Sequence, residues 1–249
     1  MLLVFVLIIL LEIFILGYFG NIGPLKFLNE NRIKKHPGNN SIYDFSNIEY
    51  VEDKRLNNKT LCILGSSVSR GEKSLDNSIG EYFKYKYHCN LIKETVSGTT
   101  LAGKKKNTYI NRMINNIKEK HIDIFVCQLS TNDILKTKQF GEISNNDDFN
   151  IEEITGAIEY IITYVKNNWD CPLFFYTNSY FKNDKYALMV KQLYKLKDKY
   201  DIEIIDLYND EDFNNKYNDL YMFDMIHPTM AGYRLWWCPE IEKQILNKL

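Results

Sequence analysis

LCILGSSVSRG, residues 61–71, is the stretch whose reading decides the fold. Its apolar half stops at Gly65, and Ser66, Ser67 and Ser69 follow within four positions. A short apolar run bounded by glycine predicts a buried strand, and the glycine lets the backbone turn sharply enough to lift a hydroxyl to the edge of a sheet. A serine placed there commonly caps the helix that follows; it can also ligate phosphate or act as a nucleophile. The stretch alone does not choose among these.

Far along the chain, Asp224-Met225-Ile226-His227-Pro228 supplies a carboxylate and an imidazole three positions apart, just before a helix-opening proline. An aspartate that fixes the imidazole tautomer and an imidazole that removes a hydroxyl proton form the general-base half of a serine triad. The remaining histidines, His36, His88 and His121, lie in a polar segment or beside lysines and read as fillers. Between the two blocks stand Val96-Ser97-Gly98-Thr99-Thr100 and Leu129-Ser130-Thr131-Asn132-Asp133, each directly after an apolar run.

From residue 59 onward short apolar runs alternate with segments of 3.6-residue period, the pattern of a parallel sheet covered by helices. Strands are expected over 60–64, 90–95, 122–128, 172–177 and 203–207. Ile79, Phe83 and Tyr87, then Ile110, Met113, Ile114 and Ile117, then Ile154, Ile158, Ile161, Ile162 and Val165 fall on helical faces. A further helix is expected over 186–200, and a last one from Pro228, with Trp236, Trp237 and Ile241 in the core. The fold class is therefore α/β: a three-layer α/β/α sandwich on a flavodoxin-like parallel sheet of about five strands. In such sheets ligands sit outside the carboxyl ends of the strands, where Ser67, Gly98 and Asn132 all fall.

The four blocks, in this order, resemble the SGNH hydrolases, also called the GDSL family, and the chain looks like a membrane-anchored, bacterial-type member. The family pattern is a Gly-Asp-Ser block, a lone glycine, a Gly-x-Asn-Asp block and a final Asp-x-x-His-Pro. The resemblance implies Ser67 as nucleophile, His227 as base and Asp224 as its orienting acid. It implies an oxyanion hole made by the backbone N–H groups of Ser67 and Gly98 and the side-chain amide of Asn132. Two positions depart from the pattern: Ser66 stands where the family has aspartate, and Ser130 where it has glycine. Ser66 and Ser69 remain rival nucleophiles at this level.

The chain has 249 residues, 45% of them hydrophobic, enough for one core of ordinary size. A net charge of -1 offers no electrostatic footprint for nucleic acid, and the run Lys104-Lys105-Lys106 reads as the solvated first turn of a helix. The five cysteines, Cys62, Cys89, Cys127, Cys171 and Cys238, lack the close spacing of a zinc site or a disulfide framework, and no metal or cofactor is expected.

Residues 2–19 are apolar apart from Glu12, Gly17 and Tyr18, and about twenty helical residues span a hydrocarbon core of about 30 Å. The expectation is a membrane anchor over 1–20, a polar stalk over 21–58 and a hydrolase domain over 59–249. The membrane is thus an expected partner through the N-terminal helix. The lysines and arginine after the segment, counted literally, place the domain in the cytoplasm; a signal-anchor arrangement places it outside, which is the orientation expected here. Residues 136–150 are read as a rim or lid over the pocket or, equally, as a solvent loop.

The function expected is that of a carboxylic ester hydrolase acting through an acyl-enzyme on short acyl groups, chiefly acetyl, with a small-molecule, glycan or lipid ester as substrate. An acyltransferase using the same triad and a non-catalytic flavodoxin-like module with a phosphate in the serine loop are the alternatives.

Overall fold

The computed structural model describes residues 2–18 and 23–249. Five strands, β1 (Thr60–Gly65), β2 (Asn90–Thr95), β3 (Ile124–Gln128), β4 (Leu173–Tyr176) and β5 (Glu203–Ile205), form one parallel sheet in the order β2-β1-β3-β4-β5. Alternate residues of each strand point to opposite faces, so the sheet builds two cores. Cys62, Leu64, Phe125, Cys127 and Phe175 pack with the helices Tyr109–Asn116, Ile154–Asn168 and Asp184–Lys199. Leu61, Ile63, Ile124, Val126, Phe174 and Tyr176 pack with Ile79–Tyr87 and Cys238–Leu246 on the other face. This is the expected α/β/α sandwich.

The helices form where apolar positions recur at helical spacing. In Ile154–Asn168 the side chains of Ile154, Ile158, Ile161, Ile162 and Val165 are all buried, each worth roughly 1.5–3 kcal/mol of transfer free energy. The helix Ile79–Tyr87 opens with a capping box, Ser78 and Glu81 satisfying each other's backbone N–H groups. Trp236, Trp237 and Ile241 are core residues, and Tyr233 donates its hydroxyl to the Val68 carbonyl, fastening the chain's last segment to the serine loop.

The sheet order also positions the site. Because β1 lies between β2 and β3, the loops that leave these strands at their carboxyl ends meet at one edge, with the serine loop in the middle.

The expected membrane anchor is overturned. Among the described residues no helix is long and apolar enough to cross a membrane. The N-terminal helix is Leu2–Tyr18, 17 residues, or roughly 25 Å at about 1.5 Å per residue, short of a hydrocarbon core of about 30 Å. Gly17 packs directly against Leu25, whose side chain would collide with any Cβ at that position. The membrane as partner and the anchored, extracytoplasmic location lose their basis with it; residues 1 and 19–20 of that expected segment lie outside the described residues.

The segment read as a stalk is docked on the domain where it is described. Phe45 and Leu56 are buried in the second core, and Asn39 donates to the carbonyls of Ile33 and Lys73 while accepting from the Met230 N–H.

Candidate active site

Ser67 begins a short helix, Ser67–Arg70, immediately after β1. The turn into it requires glycine at position 65, because a Cβ there would overlap the Ser69 side chain. Ser67 is 7% exposed, and its Oγ lies 2.8 Å from His227 Nε2. The other ring nitrogen, Nδ1, is 2.9 and 3.0 Å from the two carboxylate oxygens of Asp224. Asp224 also accepts the backbone N–H groups of Ile226 and His227, both at 2.9 Å. Burial opposes the charge on this carboxyl, but the His227 contact and the two N–H donors outweigh it and hold its pKa below the ordinary aspartate value. An ionised Asp224 keeps a proton on Nδ1 and leaves Nε2 as the acceptor facing the serine.

The loop 222–228 that carries the pair is closed on itself. Met222 and Pro228 form an antiparallel bridge, and the Phe223 N–H donates to the His227 carbonyl. Asn178, in the loop just after β4, donates its amide to the Ile226 carbonyl at 3.2 Å and so ties the two loops together at the sheet's edge.

The rival serines are turned the other way. Ser66 and Ser69 are fully buried, and the Oε1 of Gln128 accepts from the backbone N–H and the hydroxyl of both, at 2.9–3.3 Å. Ser69 also shares a hydrogen bond with Tyr176. These hydroxyls brace the loop from beneath, so they form no open cradle for a phosphate.

Gly98 lies in the turn after β2 with φ +71, a conformation that favours glycine. Asn132 lies in the first turn of the helix Thr131–Leu135 after β3, and its Nδ2 donates to the Thr99 carbonyl at 3.0 Å, which fixes the orientation of the amide and leaves its second N–H available. Ser130, in place of the glycine of the resembled pattern, caps this helix by accepting the Asn132 N–H. Asp133 accepts the N–H groups of Leu101 and Ala102, holding the glycine loop to the asparagine helix. The five residues singled out in the sequence thus share one edge of the sheet, with Ser67, Asp224 and His227 in continuous contact and Gly98 and Asn132 on the two flanking loops.

Sequence reasoning missed the supports. Gln128 gives one signal, a polar residue closing the apolar run 124–127. Arg112, buried at 3% exposure, donates to the carbonyls of Glu94 and Gly65, to the Glu94 carboxylate and to Thr99 Oγ1, binding β2, β1 and the glycine loop together. A single arginine between Ile110 and Met113 carries no such signal. Glu72 is a further one: burial works against its ionisation, but Ser97, Lys73 and His227 hold its carboxyl below the usual range.

An alcohol held by an imidazole, itself held by a carboxylate, at the carboxyl edge of a doubly wound sheet is the equipment of a serine-type hydrolase. The chain belongs to the GDSL-like lipase/acylhydrolase family, whose match covers residues 41–237. It is accordingly a hydrolase of the esterase kind.

Solved structures share the fold. A protein from Lactobacillus plantarum superposes with a TM-score of 0.64 at 15% identity, covering 78% of this chain and 99% of its own. An acetylxylan esterase from Geobacillus stearothermophilus gives 0.58 at 12% identity over 78% of this chain and 96% of that one. A family two carbohydrate esterase from Clostridium thermocellum, in complex with cellohexaose, gives 0.56 at 12% identity over 80% and 66% of the two chains. No curated protein sequence matches this one.

Proposed function

We propose that residues 59–249 form a serine esterase that removes short acyl groups, chiefly acetyl, from carbohydrate, with Ser67 as nucleophile, His227 as general base and Asp224 as its orienting acid. The observation that carries the reading is the 2.8 Å contact between Ser67 Oγ and His227 Nε2. Ser67 Oγ attacks the ester carbonyl carbon as Nε2 takes its proton, and the resulting oxyanion is received by the N–H groups of Ser67 and Gly98 and by Asn132 Nδ2. Collapse breaks the bond to the alcohol, which leaves with the proton from His227. Water then attacks the acyl-serine, its proton passing to His227 and on to Ser67 Oγ, and the acid is released. The acetyl preference draws support from the acetylxylan esterase of the same fold, and the carbohydrate preference from that protein and the carbohydrate esterase.

Labelling by a fluorophosphonate probe is the test. The wild-type protein is expected to label and Ser67→Ala to lose the label; a label that persists in Ser67→Ala transfers the role to Ser66 or Ser69 and overturns the assignment. p-Nitrophenyl acetate is expected to turn over faster than long-chain esters, and the reverse order refutes the acyl preference.

A further inference from the structure

A cleft of about 600 Å³ opens from Gly98 and Thr99 and runs between two loops distant in sequence. Lys104 and Lys105 come from one loop and Lys136 and Lys138 from the other; Glu152 is the one carboxylate in the lining. The chain as a whole carries a net charge of -1, so this concentration of cations is local. Like charges gathered around a concavity repel one another and focus a positive potential into it.

The two loops are held in place by specific contacts. Asn111 donates its amide to the carbonyls of Lys104 and Lys105, and the Gly103 N–H donates to the Ile151 carbonyl, so the first loop is fastened at both ends. Lys136 donates to the carbonyl of Gly98 itself. Lys138 Nζ lies against Gly103, close enough that a Cβ at that glycine would come within 3.0 Å of it. Lys104 pairs with Glu152 at 3.3 Å, whereas among the described residues Lys105 and Lys138 have no ion-pair partner. Two ammonium groups are therefore left for a ligand beside a backbone position that the proposed mechanism gives to the oxyanion.

We propose that this cleft receives the alcohol part of the substrate and that this part is an anion: a carbohydrate bearing carboxylate or phosphate groups. The proposal rests on the esterase reading above and adds the charge of the leaving alcohol to it. Ammonium groups of Lys105 and Lys138 pair with the anionic groups, while the acyl carbonyl lies at Ser67.

The experiment compares kcat/KM on three acetylated substrates: a neutral xylo-oligosaccharide, an oligouronate and a sugar phosphate. The wild-type protein is expected to favour at least one anionic ester over the neutral one by about tenfold or more, with the advantage shrinking as salt rises from about 50 to about 500 mM. The uronate and phosphate arms tell the two sources of charge apart. In Lys105→Glu/Lys138→Glu the ratio of anionic to neutral kcat/KM is expected to fall to about one or below, and Lys105→Gln, a single exposed change, to lower it part of the way. A wild-type ratio near one, or a ratio unmoved by either variant, overturns the proposal while leaving the esterase reading intact. Absence of turnover on all three and on p-nitrophenyl acetate overturns the esterase reading and this proposal together.

Discussion

The two halves of the site are built by opposite means. The serine half lies in the buried interior: Ser66, Ser69 and Tyr176 are wholly buried, and one glutamine oxygen satisfies donors from two residues. The half made by Asp224 and His227 stands on an external loop, where the Asp224 side chain is 43% exposed and that of His227 19%. Besides its bridge, its backbone bonds and Asn178, that loop is held by Arg32, Lys73 and His36 against the Phe223 ring and by Met222 and Ile226 packed at the margin of the second core. The contrast separates stability from catalysis: damage to the serine half should be felt by the fold, and damage to the loop by turnover.

Asp224→Asn probes the loop and should show the largest effect. It keeps an acceptor for the two backbone N–H groups but destroys control of the imidazole tautomer, so kcat should fall about 10³- to 10⁴-fold with the melting temperature within about 2 °C of wild type. A large loss of melting temperature instead would erase the proposed contrast. Gln128→Leu probes the buried half. It strands two backbone N–H groups and the Ser66 hydroxyl, at about 1–3 kcal/mol for each orphaned donor, so a destabilisation of about 4 kcal/mol and a drop in melting temperature of about 10 °C are expected by calorimetry. A variant that melts with the wild type would mean the serine loop needs no brace.

The pH dependence sharpens the comparison further, because Asp133 is the one strongly shifted carboxyl of the buried half. Burial pushes it up to about 6 from an ordinary value of 3.8, against the pull of the Ala102 and Leu101 N–H groups. A raised folded-state pKa contributes stability that is fully present below the ordinary value and is lost as pH rises through about 6. The unfolding free energy of the wild type relative to Asp133→Asn should therefore decline between those limits by at most about 3 kcal/mol, measured by urea denaturation across pH. A flat difference would show that folding leaves the carboxyl at its ordinary value. Asn178→Ala, the mildest change, removes the tie to the Ile226 carbonyl and should cost about 1 kcal/mol, read as a roughly fivefold fall in kcat.

What could be read in the sequence follows the same division. Strand boundaries agree with the sheet to within two residues, because buried parallel strands are continuous apolar runs. The spacing of Asp224 and His227, and the positions of Gly98 and Asn132 after such runs, were visible because turn chemistry is local. Gln128 and Arg112 were not: the partners named above lie 13 to 62 positions away, and nothing local marks a side chain that will be shared by distant loops. Lys104 and Lys105 were read as a solvated helical turn, whereas they wall a cleft before the helix Tyr109–Asn116 begins. Residues 2–19 misled for another reason. Hydropathy reports composition, but crossing a bilayer depends on the length of helix, and among the described residues this one spans Leu2–Tyr18.

The bridge between Met222 and Pro228 has one more consequence. Since it seals the carboxylate and the ring inside a single small hoop, any outward swing carries both as one rigid unit. Such a swing would break the tie to Asn178 and the link to the alcohol but spare the contact between carboxylate and ring, so the ring would return already set in the same protonation pattern.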